Sequence, residues 1–172
     1  AMAGRNAVWL ASQPPETRIR LLNRLTPGEL AFLSHDWRFW ARPDQMPPPG
    51  DWRVWLILAG RGWGKTRAGA EWIAGQAARH PGCRLALVGE THLDARGVMV
   101  EGESGLLSIA PPWDRPLFQP SRRLVCWPNG SQAMLFSAED PESLRGPQFH
   151  GAWCDELAKW PYPAAWDNLL MG

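Results

Sequence analysis

The order of apolar and polar positions divides this chain into a helical head and a strand–helix body. In residues 15–25, Ile19, Leu21, Leu22 and Leu25 recur at helical spacing, which predicts a helix with one apolar stripe. Thr26-Pro27-Gly28-Glu29 is a helix start: Thr as N-cap, Pro at the first helical position, Glu three residues after the cap. The helix it opens should carry Leu30, Phe32, Leu33, Trp37 and Trp40, with both tryptophans in the core. Residues 43–50, rich in proline, then break the chain into a linker.

Beyond the linker the pattern changes to short apolar runs. Residues 53–59 read as the first core strand, and residues 64–79 as a helix ended by His80-Pro81-Gly82. Residues 84–88 are a second strand, and residues 91–100 and 105–110 are helical pieces closed by Pro111-Pro112. Residues 123–127 and 132–137 alternate around Pro128-Asn129-Gly130-Ser131, the signature of a β-hairpin. A short buried strand at 149–154 and a helix at 162–171 follow. The pattern predicts an α/β fold: a mostly parallel central sheet flanked by helices, plus an inserted β-hairpin. Residues 1–50 would be a helical lead-in docked on the sheet and residues 51–172 the core.

Composition narrows the class. A chain of 172 residues, 45% hydrophobic and 20% charged, suits a soluble domain with a proper core. No apolar run approaches the roughly 20 residues a bilayer span needs, and no secretory signal opens the chain. Ala1-Met2-Ala3 reads as a cloning remnant. A net charge of +1 does not announce a nucleic-acid partner, so any DNA contact needs a local patch. Cys83, Cys126 and Cys154 are odd in number and lack metal-ligand spacing, as expected of free thiols in a reducing cytoplasm. Most of the twelve tryptophans must be packing residues.

The candidate chemistry begins where the 53–59 run meets Ala59-Gly60-Arg61-Gly62-Trp63-Gly64-Lys65-Thr66-Arg67. This is a Walker A pattern with alanine in place of its first glycine. Backbone N–H groups of such a turn and the positive end of the following helix face an anion, and Lys65 adds a full charge. Gly62 and Gly64 permit positive φ and close backbone approach. Trp63 reads as a packing lid rather than a base-stacking ring. Arg61 either reaches a γ-phosphate or a neighbouring subunit's nucleotide, as an arginine finger does, or pairs with a surface carboxylate.

About 90 residues after Lys65, the apolar run His150-Gly-Ala-Trp-Cys154 ends in Asp155-Glu156. Asp155 and the Thr66 hydroxyl suit a Mg²⁺ ion, and Glu156 suits the orientation and deprotonation of an attacking water. The bland reading is an acidic pair at a helix N-terminus, favoured by the macrodipole. Gln45, about 20 residues before Lys65, carries paired donor and acceptor groups that match an adenine edge. It is either such a reader or an exposed linker glutamine.

Together Gly60–Thr66, Leu144-Arg145-Gly146-Pro147-Gln148 and Trp153-Cys154-Asp155-Glu156 resemble the large terminase subunit, the ATPase motor that packs double-stranded DNA into phage capsids. Asp114-Arg115-Pro116, Pro128-Asn129-Gly130 and Phe136-Ser137-Ala138-Glu139 look closest to terminases of gene transfer agents and related prophages. The resemblance runs from about Trp37 to Met171. It implies a P-loop NTPase fold of the RecA-like, terminase ATPase type. ATP and Mg²⁺ would be bound by Gln45, Gly60, Arg61, Gly62, Trp63, Gly64, Lys65, Thr66 and Arg67, with Thr66 and Asp155 on the metal. Glu156, Lys65 and Arg61 would carry catalysis, and Arg145 is a weaker candidate for sensing nucleotide state. Implied partners are double-stranded DNA, the portal protein and the small terminase subunit, with a homo-oligomeric ring on the portal and a monomer in isolation, in the bacterial cytoplasm. Large terminases continue to a coupling motif and a nuclease domain, so the resemblance implies an N-terminal fragment with weak or absent turnover and no DNA cleavage. A helicase or recombinase-like ATPase and a non-catalytic nucleotide-dependent scaffold are the competing classes.

Overall fold

The computed structural model describes residues 6–172, so Ala1-Met2-Ala3 lies outside the described residues. The chain forms two compact units, one ending at Lys65 and one running from Thr66 to Gly172.

The first unit is built of short helices. Helix α1 (Ala7–Ala11) is capped by the Asn6 side chain, which accepts the Trp9 N–H at 2.9 Å. Helix α2 (Pro15–Leu22) buries no residue, and Ile19 is exposed, so its predicted stripe is not a core face. Helix α3 (Pro27–His35) has the expected capping box: Thr26 Oγ1 accepts the Glu29 N–H at 3.2 Å, and Glu29 Oε2 accepts the Thr26 N–H at 2.8 Å.

The expected continuation through Trp40 does not occur. Asp36 leaves the helical region and caps a separate turn, α4 (Trp37–Trp40), by accepting the Arg38 N–H at 3.1 Å. A short acidic side chain that bonds nearby backbone competes with the helix in this way. The buried ring of that turn is Phe39; Trp40 is exposed, its indole N–H bound to the Leu33 carbonyl at 2.7 Å. Residues 53–59 are a second correction, because among the described residues no strand pairs with them. Trp55, Ile57 and Ala59 are half-buried while Leu56 and Leu58 are exposed, so a period-2 pattern is present without a ladder.

The second unit holds a five-stranded sheet in the order β2-β3-β4-β1-β5. Its strands are β1 (Arg84–Gly89), β2 (Leu117–Gln119), β3 (Leu124–Cys126), β4 (Gln132–Ser137) and β5 (Gly151–Cys154). Strands β4, β1 and β5 are parallel, whereas β2–β3 and β3–β4 are antiparallel. The predicted hairpin is β3–β4, turned at Gly130 with φ +85°. It is joined to the central sheet, because its second strand is also the parallel neighbour of β1.

Both faces of this sheet are covered. Leu85 and Leu87 pack into one cluster with Ile73, Met99, Val100 and Trp153, while Ala86 and Val88 join Phe136, Leu144, Ala165 and Leu169 in the other. Successive β1 side chains therefore feed opposite cores, as a strand period of two requires. Helix α5 (Lys65–Arg79) contributes Ala70, Ile73 and Ala77 to the first cluster. The turn α6 (His92–Asp94) leads into a wider π-helical stretch, Ala95–Val100, and α7 (Leu106–Ile109) follows. Helix α8 (Ala164–Met171) lies in the second cluster through Ala165 and Leu169.

Candidate functional site

In the first unit the glycine-rich turn takes the conformation its sequence demands. Gly62 and Gly64 have φ of +75° and +94°, which side-chain-bearing residues rarely adopt. Lys65 opens α5, and its ammonium donates to the carbonyls of Ala59 at 2.8 Å and Gly60 at 3.2 Å. A cation bound to both carbonyls ties the two ends of the loop together. Arg61 and Gly60 are exposed.

Gln45 is not an exposed linker residue. It is 6% exposed, at the end of a 3₁₀ turn, Pro43–Gln45. Its Oε1 accepts the Arg42 N–H at 3.0 Å, and its Nε2 donates to the Trp63 carbonyl at 2.9 Å. Arg42 Nη2 donates to the same carbonyl at 2.9 Å, with the guanidinium 5.5 Å from the centre of the Trp63 ring. The Trp63 indole N–H donates to Asp44 Oδ2 at 3.0 Å, and Asp44 Oδ1 lies 3.3 Å from Arg42 Nε. Trp63 thus packs against Arg42 and Asp44. Arg42 and Asp44, which hold Trp63, were not singled out from the sequence. Their signal was the proline-led turn, in which the third residue, Gln45, can reach back to the Arg42 N–H.

In the second unit Thr66 and Arg67 stand on the first turn of α5. Arg67 donates from Nε to Glu71 Oε1 at 2.8 Å, one helical turn on, so its charge is shared with a half-buried carboxylate. Asp155 directly follows β5, and its N–H donates to the Val88 carbonyl at 2.9 Å, continuing the parallel ladder by one residue. The register sets Gly89 beside Ser137 and Val88 beside Cys154, so Asp155 stands at the carboxyl edge of the parallel strands. In open α/β sheets that edge is where ligands bind. The Trp160 indole N–H donates to the Asp155 carbonyl at 3.0 Å and fixes the turn from behind.

Glu156 has φ +49°, left-handed for a residue with a side chain. Such strain is of order 1–2 kcal/mol and persists where surrounding structure holds it. The Glu156 carboxylate is half exposed and lies 3.6 Å from Lys159. Glu156 precedes a short 3₁₀ turn, Leu157–Lys159, so the acidic pair does not open a regular α-helix. Cys154 is pushed up to about 12, first by burial and then by the charge of Asp155. It is a packing thiol, and all three cysteines are free. Arg145 pairs with Glu142 at 3.0 Å on an exposed turn.

The family model for the terminase large subunit, T4likevirus-type, N-terminal, matches residues 56–170. Among solved structures the chain is similar to the large terminase ATPase domain of Thermus phage P74-26, with 20% identity and a TM-score of 0.50. That match covers 65% of this chain and 53% of the other, so this chain spans about half the length of that structure. An arginine-to-alanine variant of the same domain matches equally well. A search of curated proteins found no match. At 20% identity the structural likeness speaks for the fold, whereas the family match extends over about two thirds of the sequence. The chain belongs to the terminase large subunit family, in its N-terminal, T4-like-virus-type part.

Proposed function

We propose that this chain binds ATP with Mg²⁺ and serves as the ATPase of a motor that drives double-stranded DNA into a capsid. The observation that carries the reading is the acidic pair Asp155-Glu156 at the carboxyl edge of a parallel sheet, in a chain that also has a positive-φ glycine loop ending in Lys65. Family membership supports the same reading over the helicase and scaffold classes.

In this mechanism the loop amides and the Lys65 ammonium hold the β- and γ-phosphates. Thr66 and Asp155 offer hard oxygen donors, and Mg²⁺ prefers one or two such protein ligands beside phosphate oxygens. When bound, the ion neutralises charge on the transferred phosphoryl group. Glu156 orients the attacking water and takes its proton; its half-exposed carboxylate is open to water. Arg61, exposed on the loop, would meet the charge that builds on the γ-phosphate. Portal and small terminase subunit are the proposed partners, and a ring of subunits the proposed working assembly.

The test separates binding from chemistry. The unsubstituted chain should bind Mg-ATP in calorimetry, and Lys65→Ala should remove that binding while circular dichroism stays unchanged. In a large terminase carrying this sequence, Glu156→Gln should keep ATP affinity and lower hydrolysis about 10²–10⁴-fold, the scale of a lost general base. Hydrolysis unchanged by Glu156→Gln would remove it from that role, and no ATP binding by the unsubstituted chain would overturn the reading as a whole.

A further inference from the structure

We infer that Gln45, with Arg42 and Asp44, is a positioning group for the phosphate loop: it clamps Trp63 so that the Trp63–Gly64 peptide faces the way an anion cradle requires. The inference rests on the proposed reading of the loop as a triphosphate site.

The clamp holds Trp63 at three places. Its carbonyl takes two hydrogen bonds, from Gln45 Nε2 and Arg42 Nη2, each 2.9 Å. Its ring face meets the Arg42 guanidinium at 5.5 Å, and its indole N–H is held by Asp44 at 3.0 Å. A trans peptide is planar, with C=O and N–H pointing in opposite directions. Drawing the Trp63 carbonyl onto the linker therefore turns the Gly64 N–H away from it. That N–H belongs to the turn that leads straight into Lys65 and the start of α5, where successive amides converge on an anion.

Gly64 fits this device twice over. Its φ of +94° suits glycine, and a Cβ there would lie 2.6 Å from Gln45 Nε2. The close approach of the Gln45 amide to the loop thus depends on the absence of a side chain. The amide of Gln45 is also engaged at both ends: one of its two oxygen lone pairs serves Arg42 and one of its two N–H groups serves Trp63. An amide engaged in this way acts on phosphate geometry, which is common to every triphosphate, rather than on base identity.

Three probes distinguish the roles: Mg-ATP, Mg-GTP and inorganic tripolyphosphate, titrated into the 172-residue chain by calorimetry. Gln45→Ala should weaken all three by the same factor, about three- to tenfold, the scale of one lost hydrogen bond. Gln45→Glu, which sets a carboxylate oxygen against the Trp63 carbonyl, should weaken them at least as much. Asp44→Ala is the sharper test, because the side chain is exposed and its loss opens no buried cavity. Removal of a negative charge would by itself tighten anion binding; the clamp predicts weaker binding and a shifted Trp63 indole resonance. Loss confined to Mg-ATP after Gln45→Ala, with tripolyphosphate unchanged, would make Gln45 an adenine reader and overturn the clamp. Tighter tripolyphosphate binding by Asp44→Ala would overturn it as well. No binding by the unsubstituted chain would instead overturn the nucleotide reading on which the clamp rests.

Discussion

At the scale of single residues, His92 shows how one contact fixes a protonation state. Arg123 Nη1 lies 2.6 Å from His92 Nε2, and a guanidinium only donates. Nε2 must therefore accept, which leaves the proton on Nδ1, a buried nitrogen with no hydrogen-bond partner among the described residues. Burial and then the charge of Arg123 hold His92 below its ordinary value of 6.5, against a smaller opposing pull from Asp140 and Glu139. A lowered folded value means that the unfolded chain binds the proton more readily. The stability this confers is complete above the unfolded value and is lost as pH falls below it. His92→Asn should accordingly flatten the decline in urea midpoint between about pH 7 and pH 5. Parallel declines in the two proteins would show that His92 does not drive it. Gly62, Gly64 and Gly130 were legible in the sequence, because positive φ has a residue signature. Glu156 was legible as a candidate acid and not as a left-handed residue, since nothing in its side chain announces that conformation.

At the scale of elements, helix α5 carries two glycines whose replacement should have opposite effects. Alanine is favoured over glycine inside a helix by about 1 kcal/mol. At Gly69 a Cβ would lie 2.4 Å from the Trp153 ring, which is buried and cannot retreat. Overpacking of that kind costs about 1–3 kcal/mol, so Gly69→Ala should destabilise the protein despite the better propensity. At Gly75 the nearest atom is the end of the flexible Arg79 side chain, 3.1 Å away, so Gly75→Ala should stabilise by about 0.5–1 kcal/mol. Urea unfolding of the two variants checks the sign, and a shift in the same direction for both would contradict this account. The helices and strands of the second unit were mostly readable from periodicity. Residues 53–59 were not, because a period-2 pattern is necessary for a strand while a ladder also needs a neighbour. The break at Asp36 was missed for a related reason: local capping overrode an apolar spacing that continued through Trp40.

At the scale of the whole molecule, Cys154 links the sheet to alkaline stability. Its thiol is held up to about 12, against an ordinary value of 9.0, mainly by burial. A raised folded value favours the neutral form, so the stability it confers is full below the unfolded value and is lost as pH rises toward the folded one. Cys154→Ala should therefore show a shallower loss of stability than the unsubstituted chain between about pH 9 and pH 12, measured by chemical unfolding. Equal slopes would show that the thiol stays solvated.

The sequence by itself determined the α/β alternation, the positive-φ glycines of the loop, the strand-end position of Asp155 and the family to which the chain belongs. These depend on residue type, spacing and local conformation, all of which are written along the chain. Tertiary structure alone decided that β4 closes a hairpin and also pairs with β1, that Gln45 is buried against Trp63, and that residues 53–59 find no ladder among the described residues. Each of these depends on which distant segment comes to lie alongside, and periodicity carries no information about the neighbour across the gap.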